Sequence, residues 1–237
     1  MLAPMRRVLI KLSGEALAGE RGHGLDEQVL AFVGRQLVPL RERGVQLGIV
    51  VGGGNFMRGV SSAASGVDRV RADHAGMLAT VINALMLADA LSRAGLPATV
   101  FSAVAMSTVA ETFTTRAADA RLCAGDICIF GGGTGHPFFS TDTAAALRAA
   151  EIGADLLIKA TQVDGVYSAD PKKDPDAQRF SRISFDEVLA RRLGVMDMTA
   201  FSLCRERKLP VVVLAFDEVD VLRRLLDGED VGTWVHP

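Results

Sequence analysis

The sequence predicts an α/β fold, a three-layer sandwich with a mainly parallel central sheet covered by helices on both faces. Two observations carry this. Six short apolar runs are continuous rather than alternating, as strands buried on both faces are. Segments with helical spacing separate most of them, and strands alternating with helices build a parallel sheet. With 237 residues, 49% apolar and 23% charged, the chain is long enough to bury the core this needs.

The elements follow in order. Val8–Leu12 is the first strand and runs into Ser13-Gly14-Glu15. Leu25–Arg43 places Val29, Leu30, Val33, Leu37 and Leu40 at helical spacing and stops at Gly44. Val45–Val51 is the second strand. Asp68–Arg93 is a long helix, uncharged between Ala75 and Ala88, so it is apolar on every side. Such a helix is buried, and another subunit is expected to cover part of it. Ala98–Val104, Ile127–Phe130, Asp155–Ala160 and Val211–Ala215 are the remaining strands. Thr115–Cys123, Asp142–Glu151, Phe185–Leu193, Ala200–Arg207 and Val219–Leu226 are the remaining helices. Asp170–Asp176 holds two prolines and five charges and reads as an exposed loop.

Composition excludes several classes. A formal net charge of -2 gives no basic surface for nucleic acid. The uncharged stretches Ala94–Ala110 and Ile127–Thr141 fall short of a membrane span and contain turn-forming residues. The N-terminus has no secretory apolar segment. Cys123, Cys128 and Cys204 form no disulfide framework or metal knuckle and read as small buried hydrophobes of a reducing cytoplasm.

The chemistry is concentrated at the carboxyl ends of the strands. Only five of the 26 basic residues are lysine, and two of them, Lys11 and Lys159, end apolar runs. Ligands bind at that edge of an open α/β sheet, where a lysine either presents a point charge to phosphate or snorkels. Glycine clusters follow the first, second and fourth strands: Ser13-Gly14, Gly52-Gly53-Gly54-Asn55 and Gly131–Gly135. Glycine lets backbone N–H groups approach an anion closely. Three such turns with two lysines on one edge predict a polyphosphate site. Neither a P-loop nor G-x-G-x-x-G after the first strand is present. Ser140, Thr141 and Asp142 precede a helix that one of them should cap. Phe138 and Phe139 line a base pocket or lie in the core. His136 and His74 read as structural. Asp73, in the first turn of its helix, complements the dipole or accepts from a ribose.

Together these stretches resemble the bacterial uridylate kinases (UMP kinases), a branch of the amino acid kinase family. The stretches are Lys11–Glu15, Gly52–Gly59, Asp73–Thr80, Thr134–Asp142, Lys159–Pro171 and Val195–Asp197, nearly end to end. The resemblance implies transfer of the γ-phosphoryl of ATP to UMP. It implies one amino acid kinase-like domain over 1–237, with an acceptor lobe over roughly 1–155 and an ATP lobe over roughly 156–237. Lys11, Leu12, Ser13, Gly14, Gly54, Arg58, Thr161, Gln162, Tyr167 and Asp170 would hold ATP. Gly53, Asp73, Thr134, Gly135, His136, Pro137, Phe138, Phe139, Ser140 and Thr141 would hold UMP. Lys11, Lys159, Asp142, Arg58 and Asp197 would serve the transfer, with Mg²⁺ carried by ATP rather than by protein side chains. The resemblance also implies a homohexamer, a trimer of dimers, with the helix from Asp68 at the dimer contact. UTP would be a feedback inhibitor in the UMP pocket. On GTP activation the resemblance points both ways: the loop Gly19–Gly24 is similar to that of GTP-activated enzymes, while Ala88, Ser92 and Thr99 stand where polar residues would serve it. Two other readings remain: a sibling kinase of a carboxylate or carbamate, and a nucleotide-binding relative without activity.

Overall fold

The computed structural model describes residues 5–57 and 66–237, apart from 170, 172, 175 and 195. In chain order its strands are β1 (Arg7–Leu12), β2 (Gln46–Val51), β3 (Ala98–Ser102), β4 (Glu111–Thr112), β5 (Ile127–Gly131) and β6 (Leu156–Thr161). They continue as β7 (Val166–Tyr167), β8 (Arg179–Phe180), β9 (Arg182–Ser184), β10 (Val211–Ala215) and β11 (Thr233–His236). The α-helices are α1 (Gly14–Ala18), α2 (Glu27–Glu42), α3 (Arg69–Arg93), α4 (Thr115–Ala124), α5 (Thr141–Glu151), α6 (Phe185–Ala190), α7 (Met198–Glu206) and α8 (Val221–Leu226).

Nine strands form one sheet in the order β4-β3-β5-β2-β1-β6-β10-β11-β9, with β7 and β8 as a separate hairpin. Only the β10–β11 pairing within the main sheet is antiparallel. The six expected strands are the contiguous centre of this sheet, from β3 to β10. The five strands that pattern reading missed are β4 and β9 at the sheet edges, β11 beside β9, and the β7–β8 hairpin. They are two to four residues long, too short for a period to register. The same reason hides α1, whose five residues start directly after Ser13.

Alternation along the strands sorts the core into two layers. Val8, Ile10 and Leu12 point to one face, where α2, α3 and α8 pack through Leu37, Leu87 and Leu222. Leu9 and Leu157 point to the other, where α4 to α7 pack through Leu122, Ala145, Phe185 and Phe201. Lys11 and Lys159 therefore project on the α5 face. That helix buries Ala144, Ala145, Ala146 and Ala149 completely or nearly so, and side chains this small let it lie close over β1 and β2.

α3 has the length and composition of a membrane span, yet Ala84, Leu87 and Leu91 are fully buried on the sheet. Within the single chain one strip of it is left uncovered. Leu78, Ile82 and Met86, spaced four apart on one face, are 53%, 47% and 42% exposed.

Candidate active site

The chain runs from β1 outward to β2, β3 and β5 on one side, then returns to place β6 and β10 on the other. The order thus reverses between β1 and β6, and ligands bind at such a reversal. Lys11 and Lys159 are register partners across this pair of strands, so both side chains leave the sheet side by side on one face.

Asp142 lies between them, in the first turn of α5. Lys159 Nζ donates to its Oδ2 at 2.7 Å. Lys11 Nζ stands 3.0 Å from Oδ1 as an ion pair, and Oδ1 accepts no well-directed hydrogen bond among the described residues. Burial pushes the Asp142 carboxyl up, but the charges of Lys11 and Lys159 outweigh it and hold it below the usual carboxylate range. Two ammonium groups sharing one carboxylate leave an excess positive charge at the sheet edge, suited to bridging phosphates.

The turns around this centre are held from within. Ser13 caps α1 by accepting from Ala16 N–H at 3.0 Å. Gly14 packs directly on the second glycine cluster. A Cβ there would lie 2.5 Å from Asn55 Oδ1 and 2.7 Å from Gly54 N. Ser140, not Thr141 or Asp142, caps α5, accepting from Thr143 N–H at 3.0 Å.

Two cavities open near this centre, one reaching Lys159 and the other reaching Ser140 and Thr141 just before Asp142. One, of about 380 Å³, is lined by Gly53, Gly54, Asp73, Thr134, His136, Phe138, Phe139, Ser140 and Thr141, together with Arg69 and Thr80. This brings together most of the residues expected at UMP. Gly135 and Pro137 belong to the same turn but do not line it. Phe138 and Phe139 are 63% and 51% exposed, so they are not core residues. Asp73 lies beyond the first turn of α3, contrary to the expected first-turn placement; it pairs with Arg69 Nε at 2.9 Å and accepts from Phe138 N–H at 2.8 Å. That contact holds Phe138 at φ 71°. The second cavity, of about 490 Å³, is lined by Lys159, Thr161, Tyr167, Arg191 and Arg192 among others. Tyr167 donates to Asp164 Oδ1 at 2.7 Å, and this bond raises its phenol above the ordinary range.

The structure distributes several of the expected site residues over different places. Leu12 and Gln162 do not join Tyr167. They line a separate groove of about 830 Å³ beside Phe32 and Phe216, and Thr161 borders both spaces. The cause is strand alternation, which turns Leu12 to the face opposite Lys11. Asp197 touches neither lysine. It caps α7, accepting from Thr199 and Ala200 N–H at 3.0 and 3.1 Å, and receives the hydroxyls of Thr143, at 2.9 Å, and Ser140. These bonds tie the starts of α5 and α7 together. Arg58, Gly59, Asp170 and Val195 lie outside the described residues. Cys123 is exposed, whereas Cys128 and Cys204 are buried and their thiols are pushed up to about 12 by that burial.

No pattern in the chain singles out Arg69, Thr80, Arg191 or Arg192. Arg69 stands four residues before Asp73, a spacing that hints at their pairing, but nothing local shows which loop either one meets.

Comparison with known proteins agrees with this geometry. Residues 6–215 match the amino acid kinase family. A protein of Bacteroides thetaiotaomicron named uridylate kinase is 51% identical over 235 residues, covering 99% of this chain and 100% of that one. A structure of UMP kinase from Bacillus anthracis superposes with a TM-score of 0.95 at 38% identity, covering 99% of this chain and 97% of that one. One from Ureaplasma parvum gives 0.93 at 32%, covering 99% and 100%. With a family match over most of its length and a relative at 51% identity, the chain belongs to the amino acid kinase family.

Proposed function

We propose that this chain transfers the γ-phosphoryl group of ATP to UMP, giving ADP and UDP. The observation that carries the reading is the Lys11–Asp142–Lys159 bridge at the strand-order reversal, with one cavity reaching Lys159 and another reaching Ser140 and Thr141 just before Asp142. The relatives named as UMP kinases supply the acceptor's identity.

In this reading the cavity bounded by Asp73 and Thr134–Thr141 takes UMP, and the one bounded by Thr161 and Tyr167 takes the nucleoside of ATP. The acceptor lobe, 1–155, and the ATP lobe, 156–237, meet at the β1–β6 pair. Phosphoryl transfer asks for in-line positioning and neutralisation of charge on the moving group. Lys11 and Lys159 supply fixed positive charge there. Asp142 orients both and, being ionised and held between two ammonium groups, does not act as a base. The attacking oxygen of UMP is a phosphate oxygen, already ionised near neutral pH, so none is needed. Asp197 is a positioning residue in the same scheme. Gly14 and Gly54 offer backbone N–H groups to the ATP phosphates, with Arg58 as a further cation.

Among the described residues no three His, Cys, Asp or Glu side chains converge on a metal position. Asp142 is already engaged by two cations, so the residues present do not fit a resident metal. Mg²⁺ belongs to this scheme as Mg·ATP, held by the phosphates.

The apolar ridge of Leu78, Ile82 and Met86 supports a dimer contact through α3, within a trimer of dimers in the cytoplasm. UTP, sharing the uracil and ribose of UMP, would compete for the acceptor cavity.

The test is ADP production from Mg·ATP with UMP, CMP, AMP or acetylglutamate offered separately. Turnover confined to UMP is the expected result. Turnover with acetylglutamate would move the reading to a carboxylate kinase, and binding without turnover would make the chain a nucleotide sensor.

A further inference from the structure

α3 carries two buried polar side chains on its sheet-facing side. Asn83 is fully buried and Thr80 is 4% exposed. Asn83 Nδ2 donates to the Gly52 carbonyl at 2.6 Å and to Asn55 Oδ1 at 2.7 Å, and Asn55 Nδ2 donates back to Asn83 Oδ1 at 3.0 Å. Asn55 also donates to the Gly24 carbonyl. Thr80 Oγ1 donates to the Met77 carbonyl at 2.6 Å and accepts from Gly132 N–H at 2.7 Å.

A helix interior does not need these groups. Asn and Thr are weaker helix formers than the Leu and Ala around them, and burying their polar atoms is unfavourable unless they are bonded. What the bonds accomplish lies outside the helix. Asn83 fixes both ends of the Gly52–Asn55 turn, and Thr80 fixes the turn that starts at Gly132. Both turns lie hard against α3. A Cβ on Gly53 would stand 2.6 Å from the Gly76 carbonyl, and one on Gly131 would stand 3.1 Å from Val81 Cα. The Thr80 hydroxyl borders the acceptor cavity, but its proton is committed to Met77.

We propose that Asn83 and Thr80 are positioning residues for phosphoryl transfer, each setting one glycine turn from inside α3. Thr80 sets the turn assigned to UMP. Asn83 sets the turn whose Gly53 is assigned to UMP and whose Gly54 is assigned to ATP. The inference rests on the assignment of those turns under the proposed function.

The test is steady-state kinetics with UMP and Mg·ATP varied in turn, on Thr80→Val, Thr80→Ser and Asn83→Leu, with urea unfolding giving the folded fraction of each. Thr80→Val keeps the shape and loses the hydroxyl. It should raise the KM for UMP about tenfold, the size of one lost buried hydrogen bond, and leave the KM for ATP within about twofold. Thr80→Ser keeps the hydroxyl and should restore the parent KM. Asn83→Leu should raise both KM values. If it does not fold, Asn83→Ser carries the same criterion. KM values equal to the parent's, with kcat falling only in proportion to the folded fraction, would overturn the proposal and leave a purely structural role. Turnover of UMP by the parent tests the underlying reading separately.

Discussion

Replacing Asp142 by Asn removes one negative charge from between two positive ones and leaves the packing almost unchanged. Both ammonium nitrogens contact the same carboxylate, at 2.7 and 3.0 Å, which places them no more than about 8 Å apart; at an effective dielectric of about 20 their repulsion is then at least about 2 kcal/mol. The lysine side chains are 12% and 17% exposed and can swing toward water, so about 2 kcal/mol is the expected loss of stability rather than the 3–5 kcal/mol of a fully enclosed pair. For a domain of this size that lowers Tm by about 4–8 °C. Mg·ATP brings negative charge to the same place, so it should raise the Tm of Asp142→Asn by more than it raises the parent's. The two lysines lose their shared orientation, so kcat should fall about 100-fold. The acid limb changes too. Asp142 has a depressed folded pKa, so its stabilisation is complete above the unfolded value of about 3.9 and disappears as pH falls through the lower folded value. The parent should therefore lose this contribution only below about pH 4, and the variant should lack that part of its acid transition. The assays are thermal unfolding with and without Mg·ATP, across pH, and ADP release at saturating substrates. A variant with parent-like kcat, or with a nucleotide-induced Tm rise no larger than the parent's, would refute the reasoning.

Lys11→Ala should lower kcat by at least about 100-fold in a protein that still folds; a smaller loss, with unfolding by urea unchanged, would remove Lys11 from the transfer step. Gly14→Ala forces a Cβ to within 2.5 Å of Asn55 Oδ1 and 2.8 Å of the Gly52 carbonyl, so it should destabilise by about 1–3 kcal/mol in urea unfolding and raise the KM for ATP; a parent-like KM would show that the turn does not carry the phosphates. Ile82→Glu puts a charge on the exposed ridge of α3, where Ile82 is 47% exposed; sedimentation should show smaller species at unchanged folding, and an unchanged mass would exclude this face as the subunit contact.

The centre of the sheet was legible because its strands are long enough and apolar enough to leave a continuous pattern, from Val8–Leu12 to Val211–Ala215. Lys11, Lys159 and the glycine turns were legible for a related reason: a strand's end is a local feature, and so is a polar residue placed on it. Resemblance to a family added the acceptor's identity, which no spacing in the chain expresses. What local pattern could not supply was partnership. The sequence names Asp142 as one of three possible caps; only the packing of α5 on β1 makes it the bridge between two lysines 131 and 17 residues away from it. Asp197 is singled out only by resemblance, and that it ties α5 to α7 is decided by how the two helix starts dock. Leu12 and Lys11 are neighbours in the chain, yet the pleat sends them to opposite faces and different spaces. Nothing local marks Asn83 and Thr80, because the loops they hold are distant in sequence and meet α3 only in the fold. Periodicity reports which face of an element is buried; the long-range register of strands and the docking of helix ends decide which polar groups meet there.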